Sequence, residues 1–228
     1  LLRLLPCQRA AECASALAVR AAERLFASGA ATPSEIDFVL FCTQTPDYVL
    51  PTTACVIQHR LGIPTTAGAL DFNLGCSGFV YGLSLAKGLI ETGQARTVLL
   101  LTAETYSKLI HPGDRSVRTI FGDGAAATLL RAGEGDADRV GPGAENLIAP
   151  TGGYREPRTA ASAELGEDES GNTRSRDHLF MNGSEIFAFT LQSVPKAVNA
   201  LLARAGITLD DVNLFVFHQA NEFMLEHL

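Results

Sequence analysis

The sequence predicts an α/β protein built from two related halves. Three observations carry that reading. Apolar strand-like runs alternate with helical segments, the opening pattern of elements returns near the end, and 46% of the 228 residues are hydrophobic against 19% charged. Such alternation favours a largely parallel sheet with helices on its faces. Eighteen Lys plus Arg against 25 Asp plus Glu give a net charge of −7, the opposite of what a nucleic-acid backbone attracts. No uninterrupted apolar run reaches the roughly 20 residues needed to span a bilayer. The opening Leu1-Leu2-Arg3-Leu4-Leu5-Pro6 is too short and broken for a signal peptide. A soluble, cytoplasmic protein is expected, with no nucleic-acid or membrane partner.

Residues 9–29 read as an Ala-rich helix stopped by Gly29, and Thr32-Pro33-Ser34-Glu35 as a turn. Ile36 to Cys42 is almost continuously apolar, as in a strand covered on both faces. Thr52 to Leu61 is helical and ends at Gly62-Ile63-Pro64; Ala67 to Asn73 is a second strand. Phe79 to Glu91 is a helix with Phe79, Leu83, Ala86 and Ile90 on one stripe and Gly93 past its end. Thr97 to Thr102 is a third, fully apolar strand, and Phe121 to Ala126 a tight structural turn. Residues 131–177, rich in Gly, Pro and charge, read as loops with one or two strands, the acidic run Glu167-Asp168-Glu169 being a solvated surface. A helix over 184–205, kinked at Pro195, leads to a buried strand at Leu214–Phe217 and a further helix from residue 222.

The series 9–29, 36–42, 52–61 is thus matched by 184–205, 214–217, 222–228. Both first helices end at a glycine, Ser28-Gly29-Ala30 and Ala205-Gly206-Ile207, followed by a short Thr/Asp turn. The expectation is two halves, 1–131 and 132–228, packed in five alternating helix and sheet layers. The sequence stops within the last helix of the second series, so that half is expected to be incomplete.

Five cysteines (Cys7, Cys13, Cys42, Cys55, Cys76) with no Cys-x-x-Cys pair make neither a disulfide framework nor a zinc signature. Most are expected to be small buried residues. Cys76 differs. Gly75-Cys76-Ser77-Gly78 lies between a strand end and the helix from Phe79, where free backbone N–H groups and the helix dipole favour thiolate over thiol. The glycines permit a sharp turn and close approach of a substrate carbonyl, and Gly78 and Gly82 allow tight helix packing. A buried structural cysteine is the competing reading. His218, directly after Leu214-Phe215-Val216-Phe217, is expected at the carboxyl end of a buried strand, the edge where ligands gather in open α/β sheets. A hydrogen-bonded structural histidine is its alternative, and Asn221 reads equally as a helix cap. His59, His111, His178 and His227 are left as background.

Four segments together resemble the ketoacyl-acyl-carrier-protein synthase III group of thiolase-fold condensing enzymes. They are Asp71–Tyr81 around Cys76; Asp114-Arg115 followed by Phe121–Ala126; His178–Phe187; and His218-Gln219-Ala220-Asn221. Each is weak alone; four in order, spaced as in that family, are specific, and the similarity runs through nearly the whole chain. The resemblance implies a thiolase-like layered αβαβα fold. It implies a nucleophile at Cys76 that takes an acyl group from coenzyme A, and His218 as one of the pair that decarboxylates a malonyl thioester. A neutral imidazole there would donate to the thioester oxygen and stabilise the enolate. It places adenine contact on Arg115, a pantetheine tunnel on Met181, Gly183, Phe187 and Asn221, and Leu50 at the acyl pocket across a homodimer. The run Val98–Leu101 suits such a dimer interface and core packing equally. No metal or redox cofactor is implied; acyl-coenzyme A is a substrate, and acyl carrier protein a partner.

The departures are specific. The family's catalytic asparagine and a glycine-rich oxyanion segment would fall beyond Leu228, and its opening strand before Leu1, so an internal piece, acylated but poor at condensation, is expected. Where the family has an arginine facing the carrier protein, this sequence has Phe223, which leaves room for an oxygen or nitrogen acyl acceptor. A non-catalytic partner subunit is a third reading, opposed by the joint presence of Cys76 and His218. A cysteine hydrolase of another fold has no readable His-Asn pairing.

Overall fold

The structure is a computed structural model that describes residues 12–132, 147–152, 156–215, 217–218 and 222–227. It divides into two compact units, Leu1–Tyr106 with Gly122–Arg139, and Ser107–Phe121 with Val140–Leu228.

In the first unit, α1 (Ala14–Ala27), β1 (Phe38–Cys42), α2 (Thr53–Arg60), β2 (Gly68–Phe72), α3 (Gly78–Glu91), β3 (Thr97–Glu104) and β4 (Gly124–Arg131) follow in order. The sheet order is β2-β1-β3-β4. β1 pairs in parallel with both β2 and β3, while β3 pairs antiparallel with β4. Alternate strand residues serve opposite faces. Val39, Phe41, Leu99 and Leu101 join Ala18, Ala22 and Ile57 of α1 and α2 in one core. Leu40, Val98 and Leu100 join Ala86 of α3 in the other. That double burial is why β1 and β3 read as unbroken apolar runs.

Three expectations change here. The sheet is mixed, because Gly124–Arg131 forms an antiparallel edge strand where only a turn at Phe121–Ala126 was expected. β3 has a neighbour on each side, so Val98–Leu101 serves the core and offers no free edge for sheet-to-sheet dimer pairing. The face of α3 toward the sheet is Gly78, Gly82 and Ala86, whereas Phe79 is exposed. A Cβ on Gly82 would come within 2.6 Å of Leu100 Cδ1. The helix lies too close to the sheet for a side chain at Gly78 or Gly82, while Leu83 and Ile90 of the expected stripe pack half-buried against the core around Leu100.

The second unit holds α4 (Arg115–Arg118), the two-residue strands β5 (Leu147–Ile148), β6 (Gly166–Glu167), β7 (Thr173–Arg174) and β8 (Phe180–Met181), then α5 (Gly183–Ala205) and α6 (Glu222–Glu226). β5 pairs with β8 and β6 with β7, both antiparallel. α5 runs through Pro195; only Leu202 is buried among its described residues. Its 23 residues include an 18-residue stretch of mean hydropathy 1.3. By length and composition alone, α5 is long and apolar enough to cross a membrane, which counting uninterrupted runs did not foresee. It carries Glu185, Lys196 and Arg204, and one such helix does not identify a membrane protein.

The internal repeat is visible in detail. α1 leads to Gly29 (φ 79°) and α5 to Gly206 (φ 68°), left-handed positions that suit glycine. Each is followed by a 3-10 turn, Pro33–Glu35 or Leu209–Asp211, closed by a reciprocal capping box from Thr32 to Glu35 or Thr208 to Asp211. The copies then diverge. Among the described residues the expected strand at Leu214–Phe217 is not seen: Leu214, Phe215 and Phe217 have no strand pairing, and Val216 lies outside the described residues. Phe215 and Phe217 instead line an apolar groove of about 230 Å³ with Val194, Val198 and Leu209. Apolar content signals burial, but only a hydrogen-bonded neighbour makes a strand.

Candidate active site

β1, β2 and β3 are parallel, so their carboxyl ends share one edge of the sheet, the edge where ligands bind in such folds. Cys76 lies four residues past β2, in a turn closed by the Gly78 amide donating to the Gly75 carbonyl at 2.8 Å. α3 begins two residues later, after Ser77, whose backbone is already helical (φ −80°, ψ −7°). The Cys76 side chain is exposed. The buried structural alternative is thereby excluded.

Of the other described cysteines, Cys42 is buried, Cys13 half-buried and Cys55 exposed; Cys7 lies outside the described residues. The expectation that most are buried holds only for Cys42. Burial pushes the Cys42 thiol up to about 11, opposed by its bond to the Leu74 carbonyl and aided by the Glu104 charge. At neutral pH, Cys42 is therefore a protonated, inert donor.

Sequence reading missed the polar ring around this turn. Glu104, at the end of β3, accepts from the Gln44 amide at 2.7 Å and the Thr45 hydroxyl at 2.9 Å. Its burial outweighs these bonds and raises its pKa above the usual carboxylate value. The Tyr106 hydroxyl donates to Gln44 Oε1. Asp71 of β2 accepts both the Thr53 and Ala54 amides at 2.6 Å, capping the first turn of α2 just after Leu50 and Pro51. Leu50 itself is 82% exposed.

In the second unit, Arg115 opens α4 with an exposed side chain, while its amide donates to Asn172 Oδ1 at 3.1 Å. Behind it, Arg174 donates to buried Asp114 at 2.9 Å and to Asp168 at 2.6 Å. Its guanidinium also lies 5.1 Å from the Phe180 ring centroid. Burial works against the Asp114 carboxylate, but bonds from Ser116 and Arg174 prevail and hold its pKa below the usual value. α4 also packs on β8, which brings Arg115 and Met181 into one neighbourhood. A Cβ on Gly183 would lie 3.9 Å from Met181 Cε. Phe187, one turn further along α5, stacks on Phe223 at 5.2 Å and meets His227 at 6.0 Å. Met181, Gly183 and Phe187 are thus grouped; Asn221 lies outside the described residues.

His218 is exposed and follows irregular chain rather than a strand, which corrects its expected place at a buried strand tip. His111 and His178, left as background by the sequence, meet edge to face at 5.1 Å. Their spacing of 67 positions gave no signal. Among the described residues, no group of three His, Cys, Asp or Glu is placed to hold a metal.

Comparison with known proteins agrees with this geometry. Residues 70–143 match the family of 3-oxoacyl-[acyl-carrier-protein (ACP)] synthase III. A crystal structure of a 3-oxoacyl-(acyl-carrier-protein) synthase III superposes with TM-score 0.90 and 59% identity, over 96% of this chain and 67% of that one. The corresponding enzyme of Burkholderia xenovorans gives 0.82 and 44%, over 96% and 63%. Beta-ketoacyl-[acyl-carrier-protein] synthase III 3 of Streptomyces coelicolor is 40% identical over 216 residues, 91% of this chain, which spans 62% of that protein's length. Fold and neighbours define a thiolase-like α/β protein. The chain belongs to the 3-oxoacyl-[acyl-carrier-protein] synthase III family.

Proposed function

We propose that the protein is a condensing acyltransferase of the beta-ketoacyl-[acyl-carrier-protein] synthase III type, acting at the start of fatty-acid or polyketide chains. Cys76 attacks the carbonyl of an acyl-coenzyme A; the carbon–sulfur bond to coenzyme A breaks and the acyl group is held as a thioester. A malonyl thioester on acyl carrier protein then loses carbon dioxide, and its enolate carbon displaces Cys76. His218 stabilises the enolate as a hydrogen-bond donor. Arg115 contacts the adenine end of coenzyme A, Met181, Gly183, Phe187 and Asn221 line the pantetheine path, and Leu50 bounds the acyl pocket in a homodimer. Residues 1–131 and 132–228 are the two thiolase-type halves, and the protein acts in the cytoplasm without metal or redox cofactor.

The observation that carries this reading is the exposed Cys76 in a glycine-flanked turn at the carboxyl edge of the parallel strands, in a chain 59% identical to a synthase of this family. The test is mass spectrometry of the full chain after mixing with acetyl-coenzyme A, then carbon dioxide release from malonyl-acyl carrier protein. An acetyl adduct on Cys76 and malonyl-dependent release support the proposal. An adduct without release by the full-length protein turns it toward the oxygen or nitrogen acceptor that the exposed Phe223 also suits, and no adduct on Cys76 overturns it.

A further inference from the structure

Two side chains near the carboxyl end of β1 lie directly against the Cys76 turn. A Cβ on Gly78 would fall 2.3 Å from Cys42 Sγ, and one on Gly75 would fall 2.9 Å from Gln44 Oε1. The turn therefore rests on a cradle of one thiol and one carboxamide, and its glycines are the residues that fit. The Gln44 side chain is itself held: Tyr106 donates its hydroxyl to Oε1. Its backbone is held too, by the 2.7 Å bond to Glu104. The neighbouring Thr45 hydroxyl donates to Glu104 at 2.9 Å and accepts the Thr105 amide at 2.9 Å, so β1 and β3 are laced together beneath the turn. Tyr106 is buried. Burial first, then the charge of Glu104, push its phenol well above the ordinary range, so it remains a donor throughout the neutral range.

We propose that Gln44 is a positioning residue, its carboxamide clamped by Tyr106 so that it fixes the Gly75-Cys76 backbone and aims the Cys76 thiol at an incoming thioester carbonyl. Gln44 needs no contact with substrate in this role. Rigid support of a nucleophile matters because small displacements from attack geometry slow reaction steeply. The inference rests on the acylation of Cys76 proposed above.

The test is single-turnover acetylation of the full chain by acetyl-coenzyme A at several concentrations, in wild type, Gln44→Leu, Tyr106→Phe and the double variant. Each single variant is expected to lower the maximal acetylation rate about tenfold or more while leaving the half-saturating acetyl-coenzyme A concentration unchanged. The double variant is expected to lose no more than the worse single, since one clamp is broken in each. Iodoacetamide labelling of Cys76 stays at the wild-type rate, because aim and not exposure has been lost; a merely disordered turn would change it. Should Gln44→Leu not fold, as its melting curve would show, Tyr106→Phe decides alone. Wild-type acetylation rates in Tyr106→Phe, or losses that multiply in the double variant, overturn the inference by itself. Absence of acetylation in wild type instead overturns the functional reading, and the inference with it.

Discussion

The Cys42 thiol donates to the Leu74 carbonyl across 3.2 Å, joining the end of β1 to the chain two residues ahead of Cys76. One cysteine thus helps to hold the turn that displays the other. Their environments sort them chemically: the first is buried, the second open to solvent.

That sorting is measurable by pH. The folded state raises Cys42 from an ordinary thiol value of 9.0 to about 11. Between those values the unfolded chain has lost the proton and the folded chain keeps it, so Cys42's contribution to stability is complete below pH 9 and falls as pH rises toward 11. Peptide-level mass spectrometry after iodoacetamide at pH 8 should find Cys76 labelled and Cys42 unlabelled. Cys42→Ala should flatten the loss of melting temperature above pH 9; an unchanged alkaline slope rejects the assignment.

Acid should weaken the second unit more than the first. In the second unit, burial and the nearby His111 ring lower the His178 pKa despite the charge of Asp177. Asp114, Asp168 and Asp177 are held below the usual carboxylate range. For Asp168 the leading cause is the Asn172 amide, and for Asp177 the Ser162 hydroxyl. Groups with lowered values bind more protons when unfolded, so their contributions fade as pH drops below 6.5 for the histidine and 3.8 for the aspartates. In the first unit Glu104, raised by burial, opposes such a loss, while Glu35, lowered chiefly by the Thr32 amide, shares it. Hydrogen exchange at pH 3 should show amides of residues 109–119 and 166–181 losing protection before those of β1 and β3; simultaneous loss refutes this order.

The buried ion pair of the second unit carries its own expectation. Asp114 is 1% exposed and Arg174 17%, so Asp114→Ala removes the buried partner and leaves the guanidinium only Asp168; it should destabilise that unit by about 1–3 kcal/mol. Thermal melting monitored by hydrogen exchange of the β6–β7 hairpin checks the figure.

Three glycines of α3 make a matched set. Ala at Gly78 or Gly82 would meet Cys42 Sγ at 2.3 Å or Leu100 Cδ1 at 2.6 Å and should cost about 1–3 kcal/mol. Ala at Gly88, where nothing lies within 4 Å, should stabilise by about 0.5–1 kcal/mol. Melting temperatures of the three variants decide it.

Leu50 offers a test of primer choice. On the proposed role of Leu50 at the acyl pocket, Leu50→Phe should narrow that pocket and shift acylation toward short acyl-coenzyme A. An unchanged chain-length profile rejects the role.

Much of the fold was legible because its signals are local. Gly29, Gly62, Gly93 and Gly206, read from the sequence as helix ends, all adopt positive φ between 66° and 79°. The apolar runs of β1 and β3 declared burial on both faces. What escaped depends on partners far apart in sequence. β4 is a strand because Gly124–Arg131 pairs along the whole of β3, and its alanines signal nothing alone. Leu214–Phe217 looked like a strand, but its Phe215 and Phe217 line a groove beside α5 without strand pairing. Cys76 stood out through its glycines, whereas Gln44, Tyr106 and Glu104 beside it, and in the second unit the Asp114–Arg174–Asp168 chain of charges, are assembled by tertiary contact.

Asp71 has the widest reach of these. Its carboxylate grips the first two amides of α2, directly after the segment bearing Leu50, while its own strand runs on into the turn bearing Cys76. The segment bearing Leu50 and the turn bearing Cys76 are thereby mounted on a single rod, and weakening Asp71 would set both adrift together.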